Sequence, residues 1–322
     1  MEITLESNDQ NTAFIFPGQG SQHIGMGKEL YDNFIEARET FAEASDALGE
    51  DLTKICFAGS PEELNQTANT QPAILTTSIA AYRVLSKKIG LKPILAAGHS
   101  LGEYSALVAA GTIAFSDAVR IVRARGKFMQ SAVPVGLGTM AAVMGMKPQQ
   151  IDDICAESTN LENDQIVEPA NYNCPGQIVI SGHVPAIMAA GEKAQKAGAS
   201  RVVKLPVSAP FHCSLMRPAA EKLAAHFADV KVEEPSIPII SNVDAQTNYH
   251  IDSVRRLLIQ QVSSAVRWEE SMQLAVNQGV VRVIEIGPGR VLSGLMRRIN
   301  RQVKTLNLAT VQDLDRIAES YA

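Results

Sequence analysis

Gly98-His99-Ser100-Leu101-Gly102-Glu103 follows a short apolar run, Pro93 to Ala97, and precedes a helix-like stretch that starts at Leu101. In that context the G-x-S-x-G string reads as a nucleophile elbow. A serine sits on a tight turn from strand to helix, and the flanking glycines and the helix N-terminus below push its hydroxyl outward. The bland alternative is an accidental glycine-rich turn, but such a turn does not require a strand before it and a helix after it. Ser100 is therefore the residue on which a functional reading is built.

Outward from this elbow the chain alternates strand and helix. Thr12 to Phe16 reads as a strand, with helical stretches near 25–47, 61–65 and 72–89. Ser60-Pro61-Glu62-Glu63 has the form of a capping box with proline at the first helical position. Helices at about 101–110 and 116–131 follow the elbow. This rhythm implies an α/β fold with a mostly parallel sheet covered on both faces. Between about 134 and 206 the order becomes β-α-β-β-α-β, the ferredoxin-like arrangement, which reads as an inserted small subdomain. The α/β pattern resumes afterwards and ends with a helix from Val291 to Arg301. The domain reading is thus 1–133 with 207–322 for the large part and 134–206 for the small one, with only the extreme ends expected to fray.

The chain has 322 residues, ordinary composition and a formal charge of −5, which gives no bulk electrostatic reason to bind nucleic acid or an anionic membrane. No apolar run approaches the ~18 residues of a membrane helix, and the first residues, MEITLESNDQN, are polar and unlike a signal peptide. A cytoplasmic protein is expected. Cys56, Cys155, Cys174 and Cys213 lack C-x-x-C spacing, so neither a metal site nor a disulfide framework is indicated.

Parallel sheets bind ligands at the carboxyl ends of their strands. Three unusual loops lie there: Pro17-Gly18-Gln19-Gly20-Ser21-Gln22, the elbow, and Gly287-Pro288-Gly289. Val207-Ser208-Ala209-Pro210-Phe211-His212 leaves the inserted subdomain toward the same edge, which implies a cleft between the two subdomains. Serine needs a base at neutral pH, and histidine is the usual one. His99 adjoins Ser100 on a sharp turn where neighbouring side chains diverge, and it reads as a packing residue. His23, His183, His226 and His250 have nothing special around them. His212, in a Pro-Phe-His segment at the subdomain junction, is the expected base.

The helix near 116–130 carries a second clue. Ala118, Val122 and Met129 share one face, and Arg125 falls on it, while Arg120, Arg123 and Lys127 share the opposite face. A cation on an apolar face requires a partner. That partner is either an internal Asp or Glu, or a substrate carboxylate gripped by the guanidinium fork. Met129 belongs with Arg125 among the substrate-binding candidates.

GQGSQ, GHSLGE, RGKFMQ, NYNCPGQ, VSAPFH and GPGRVLSGL, in this order and spacing, resemble the malonyl-CoA:acyl-carrier-protein transacylase family from about residue 13 to about residue 300. The resemblance implies an α/β-hydrolase-like large subdomain and a ferredoxin-like small one. It implies Ser100 as the acylated nucleophile, His212 as base, backbone N–H groups of Gln19 and Leu101 as oxyanion hole, and Arg125 as holder of the malonyl carboxylate. It places Asn173 in the cleft, gives Phe211 a role in crowding the α-carbon, and assigns the carbonyl that orients the histidine to Arg267. Glutamine is familiar at that last site, so Arg267 stands as a departure.

The implied substrate is malonyl-CoA, the partner acyl carrier protein, the mechanism ping-pong, and no cofactor is needed beyond the coenzyme A thioester. A monomer is expected. An acidic carrier needs a basic surface, for which Arg290, Arg297, Arg298, Arg301 and Lys304 form one candidate and Arg120, Arg123 and Lys127 another. A charge run is more often a solvated face. The rival readings are an acyltransferase serving a polyketide assembly line, a thioester hydrolase and a dinucleotide-binding module. The hydrolase is disfavoured because its histidine follows an acid late in the chain. The dinucleotide module fails because His23 occupies the third glycine's place.

Overall fold

The computed structural model describes residues 11–207, 209–248 and 250–321. The polar N-terminal stretch up to residue 10, and Ser208 within the VSAPFH segment, lie outside the described residues. The chain opens with β1 (Thr12–Phe16), then α1 (Lys28–Asn33), α2 (Ile35–Leu48), α3 (Leu52–Ala58), α4 (Pro61–Leu64) and α5 (Thr67–Lys88). The elbow follows as β2 (Leu95–Gly98), α6 (Gly102–Ala109) and α7 (Phe115–Ser131). Next come β3 (Gly138–Met144), α8 (Pro148–Ser158), β4 (Val167–Cys174), β5 (Gln177–His183), α9 (Val184–Lys196) and β6 (Arg201–Lys204). The remainder is α10 (Arg217–Phe227), β7 (Ile239–Ile240), β8 (Thr247–Asn248), α11 (Ile251–Gln261), α12 (Trp268–Asn277), β9 (Arg282–Ile286), α13 (Val291–Ile299), β10 (Lys304–Leu308) and α14 (Val311–Ser320).

Two sheets organise these elements. The larger runs β10-β9-β1-β2-β7-β8, parallel throughout except for the last pair. Alternation along β1 sends Phe14 and Phe16 to one core, with the helices α5 to α7, and Ala13 and Ile15 to another, with Trp268, Met272 and Leu292. The smaller sheet runs β4-β5-β3-β6, antiparallel, the strand order of a ferredoxin-like unit. It has its own core of Val143, Ile151, Ile178, Ile180 and Ile187. The fold is α/β, as the alternation implies.

The two sheets are tied together beside the elbow. Val266 donates its N–H to the Ala170 carbonyl, and its own carbonyl accepts from Tyr172. Strand β4 is therefore stitched to the segment between α11 and α12, which fixes how the small sheet overhangs the large one.

Three sequence expectations are amended. The helix expected over 25–47 is broken after α1, with Phe34 extended between α1 and α2. The helix expected from Pro72 begins at Thr67 and carries Pro72 inside it, buried, so packing outweighs the lost hydrogen bond. The helix expected to be the last, Val291 to Arg301, is followed by two further elements. β10 adds an edge strand, and α14 returns so that the Tyr321 hydroxyl meets Thr12 Oγ1 at 2.6 Å while the Arg282 guanidinium lies over the Tyr321 ring. The Ser60 cap is as expected, its hydroxyl accepting from the Glu63 N–H.

Candidate active site

Ser100 sits between β2 and α6 with φ +51°, a left-handed conformation rare for any residue with a Cβ. The flanking glycines explain how the turn closes. A Cβ on Gly98 would lie 1.9 Å from the Gly102 carbonyl carbon, and one on Gly102 would lie 2.0 Å from the Phe16 carbonyl oxygen. Only hydrogen fits at either place, so α6 starts directly against the end of β1. Asn242 then braces the turn: its Oδ1 accepts from the Ser100 N–H at 2.6 Å, and its Nδ2 donates to the Gly98 carbonyl at 2.7 Å.

His212 reaches the serine from the segment that leaves the small sheet. Its Nε2 lies 2.7 Å from Ser100 Oγ. Its Nδ1 lies 2.9 Å from the main-chain carbonyl of Gln261, at the end of α11. A carbonyl can only accept, so Nδ1 carries the proton and Nε2 offers its lone pair to the serine hydroxyl. Burial, followed by the nearby Arg125 charge, pushes the imidazole pKa down to about 3. The ring is therefore neutral at physiological pH, with its Nε2 lone pair free to accept a proton once a negative charge develops beside it.

Arg125 comes from α7, fully buried, with Nη2 3.2 Å from Ser100 Oγ. Its other partners are amide oxygens: Gln71 Oε1 at 2.9 Å from Nη1 and Gln261 Oε1 at 2.9 Å from Nη2. Its guanidinium also lies over the Tyr104 ring, 5.5 Å from the centroid. Among the described residues no carboxylate forms an ion pair with it. Of the two partners left open by the sequence, the internal acid is thus not the one found. Gly126 allows the approach to Gln71, since a Cβ there would meet the Thr67 carbonyl of α5 at 2.6 Å.

Ser100, His212 and Arg125 line a small cleft of about 110 Å³ together with Gln19, Leu101, Gln71, His99, Met129, Met140, Asn171, Phe211 and neighbouring apolar residues. Leu101 follows the serine, the position whose N–H serves the oxyanion in nucleophile elbows. Gln19, on the loop after β1, lines the same cleft. Phe211 and Met129 form part of the apolar wall.

Other expectations shift. The carbonyl facing His212 belongs to Gln261, not Arg267, which is a correction to the sequence reading. Arg267 lies six residues on, at the start of α12, where its guanidinium pairs with Glu270 and donates to the Asp244 carbonyl. Asn171 rather than Asn173 lines the cleft. Asn173 stands behind it, 2.8 Å from His99 Nε2. His99 packs on Trp268, as a packing residue should, yet it also borders the cleft. The Gly287-Pro288-Gly289 loop packs on Pro17, Ser21 and Ser78 instead of lining the cleft. Arg123 is not a solvated cation, since it pairs with Glu50 and bonds Asn69.

Sequence reasoning missed Gln71, Glu103, Asn242 and Gln261. Gln261 was detectable by the logic applied to Arg125. Val254, Leu257, Leu258 and Gln261 share a buried face of α11, so an amide occupies an apolar position. Glu103 is an acid in an otherwise apolar helix start, buried, with its carboxyl pushed up to about 7 mainly by that burial.

Residues 13–315 match the acyl transferase domain family. The chain is 48% identical over 301 residues to the malonyl CoA-acyl carrier protein transacylase of Escherichia coli K12, covering 94% of this chain and 96% of that one. It is 48% identical over 303 residues to that of Bacillus subtilis 168, covering 94% and 95%. The solved transacylase of Coxiella burnetii superposes with a TM-score of 0.94 at 43% identity, over 97% of this chain and 98% of that one. A malonyl-transacylase solved in complex with a type II polyketide acyl-carrier protein superposes with a TM-score of 0.93 at 45% identity, over 96% and 99%. The chain belongs to the acyl transferase domain family, in the group of the malonyl CoA-acyl carrier protein transacylases.

Proposed function

We propose that this enzyme moves the malonyl group from malonyl-CoA to the phosphopantetheine thiol of acyl carrier protein through a malonyl ester on Ser100, supplying fatty-acid elongation. Ser100 Oγ attacks the thioester carbonyl carbon while His212 Nε2 takes the hydroxyl proton. The tetrahedral intermediate collapses with cleavage of the C–S bond, and the imidazolium returns the proton to the departing coenzyme A thiolate. The carrier thiol then attacks the ester, giving its proton to His212, and Ser100 leaves with that proton restored. Gln19 and Leu101 N–H groups hold the oxyanion, each worth about 3 kcal/mol by analogy with other acyl-transfer sites. Arg125 grips the free malonyl carboxylate, with Met129 and Phe211 as the apolar wall. Asn173 contributes through His99.

The observation that carries this reading is a buried guanidinium whose partners among the described residues are amide, ring and hydroxyl groups, placed 3.2 Å from the nucleophile. Such a charge is costly without an anion, and an acetyl group leaves it uncompensated while a malonyl group does not. The reaction as written calls on no cofactor. One chain supplies every residue of the site, which supports action as a monomer. Malonyl-CoA chemistry supports a cytoplasmic location, and among the described residues no helix is long and apolar enough to cross a membrane. Arg290, Arg297, Arg298, Arg301 and Lys304 are all exposed, just before, on and after α13, and offer an acidic carrier a docking face.

Intact-mass measurement after mixing with malonyl-CoA tests the proposal. A malonyl adduct on the native chain that is absent from Ser100→Ala supports it, and an adduct that persists in Ser100→Ala refutes the assigned nucleophile. Arg125→Ala is expected to lose its preference for malonyl over acetyl. A second reading, service to a polyketide carrier, draws on the likeness to the transacylase solved with such a carrier. Transfer rates to the two kinds of carrier separate these readings.

A further inference from the structure

We infer that Glu103 is a positioning residue for the Arg125 guanidinium, acting through the side-chain amide of Gln261. Glu103 does not line the cleft and takes no part in the proton transfers above. It is buried at the start of α6, and among the described residues neither lysine nor arginine forms an ion pair with it. Its Oε2 accepts from Gln261 Nε2 at 2.7 Å and from the Asn242 N–H at 3.0 Å. The same Nε2 donates to the Ser100 carbonyl at 3.0 Å, and Gln261 Oε1 accepts from Arg125 Nη2 at 2.9 Å.

The two ends of the Gln261 amide face partners of opposite kind. A glutamine's oxygen and nitrogen have almost the same shape, so only their partners decide which way the group faces. Arg125 can only donate, while the Ser100 carbonyl only accepts and Glu103 Oε2 is committed as an acceptor by the Asn242 N–H. The reverse orientation would set NH₂ against the guanidinium and oxygen against two acceptors. Glu103 supplies the shortest of the three contacts that hold the nitrogen in place. Without it the nitrogen keeps the Ser100 carbonyl and a long 3.4 Å approach to Asn242 Oδ1. The amide oxygen is then free to swing from Arg125, and the guanidinium loses one of the two amide oxygens that aim it. Gln261 also orients His212 through its main chain, which a change at position 103 leaves in place because helix α11 holds that carbonyl.

This inference rests on the clamp role proposed above for Arg125, and the experiment separates the two. Initial rates of coenzyme A release in the presence of holo acyl carrier protein are measured with malonyl-CoA and acetyl-CoA for native enzyme, Glu103→Leu, Glu103→Gln, Glu103→Asp and Arg125→Ala, with thermal melting to verify folding. Glu103→Leu is expected to lower the malonyl to acetyl ratio of kcat/KM about tenfold, the scale of one buried hydrogen bond, chiefly through a raised KM for malonyl-CoA. Glu103→Gln, whose amide oxygen can still accept, should recover most of that ratio. Glu103→Asp, which keeps a carboxylate but falls short of Gln261, should lose part of it. A ratio unchanged in both Glu103→Leu and Glu103→Asp, or an equal loss for both substrates, overturns the inference while Arg125→Ala loses its malonyl preference. If Arg125→Ala itself keeps that preference, the clamp reading fails and the inference falls with it.

Discussion

His212 directs Nδ1 at the main-chain carbonyl of Gln261, 2.9 Å away, where a carboxylate would stand in an acid-assisted triad. A carbonyl dipole fixes the tautomer but stabilises an imidazolium less than a full negative charge does. The imidazolium is thus favoured only while the oxyanion or thiolate is present. Burial and the Arg125 charge hold the free ring down to about 3, far below its ordinary 6.5. The kcat/KM for malonyl-CoA, which reports the free enzyme, should therefore show no acid limb near 6.5. Arg125→Ala removes the second cause of the shift and should move the limb upward. A native pH-rate profile that falls off between 6 and 7 would sink this account of the base.

Glu103 and His212 pull stability in opposite directions with pH. His212 is depressed, so its contribution is present above 6.5 and lost as pH falls toward 3. Glu103 is raised from 4.5 to about 7, so its contribution is present below 4.5 and lost as pH rises through 7. Between 4.5 and 6.5 the two slopes cancel. Glu103→Gln removes one of them. Urea unfolding of the native and variant chains should diverge across this window, the variant gaining up to about 1.4 kcal/mol per pH unit relative to native. Parallel curves would show that Glu103 titrates normally.

Much of this architecture could be read from residue patterns, and the reasons are local. The elbow, the strand β1 and the inserted βαββαβ order announce themselves through glycine spacing and a switch in apolar period. Arg125 was visible because a cation on an apolar helix face breaks its own pattern. Asn242 and Gln71 were not visible in that way, because their roles come from contacts across 142 and 54 residues that no spacing rule encodes. The Arg267 expectation failed for a related reason. A main-chain carbonyl carries no side-chain signature, so matching a residue type to that role could slip along the chain, whereas the end of α11 is what places the carbonyl. α14 was missed because its apolar face is short, and its anchoring by Tyr321 to Thr12 is a contact between opposite ends of the chain.

Phe211 lies on the cleft wall with Met129, Met140, Leu205 and Val207 and is almost fully buried. Its side chain lines the same cleft as Ser100, and the family resemblance gives it the role of crowding the α-carbon of the acyl group. Phe211→Ala should raise kcat/KM for methylmalonyl-CoA relative to malonyl-CoA about tenfold, the scale of one or two methyl groups accommodated in a pocket. The same change should cost about 3 kcal/mol of folding stability, because a buried aromatic is removed. A stability loss without any change in the substrate ratio would assign Phe211 to packing alone.

Arg267 gives the sharpest contrast between residue matching and geometry. Its guanidinium is partly exposed, paired with Glu270 and bonded to the Asp244 carbonyl, while its N–H donates to the Asn242 carbonyl. The last of these contacts belongs to the backbone and survives any substitution except proline. An exposed pair of this kind contributes about 0 to 1 kcal/mol. Arg267→Ala should therefore load malonyl at close to the native rate, with the KM for malonyl-CoA unchanged and a melting temperature within a few degrees of native. Gln261→Ala behaves differently: it keeps the carbonyl that faces His212 but strips Arg125 and the Ser100 carbonyl of an amide partner, so malonyl preference should fall while the base persists. A large loss of loading in Arg267→Ala, with Gln261→Ala unaffected, would give the Arg267 side chain a role in loading and remove that role from the Gln261 side chain.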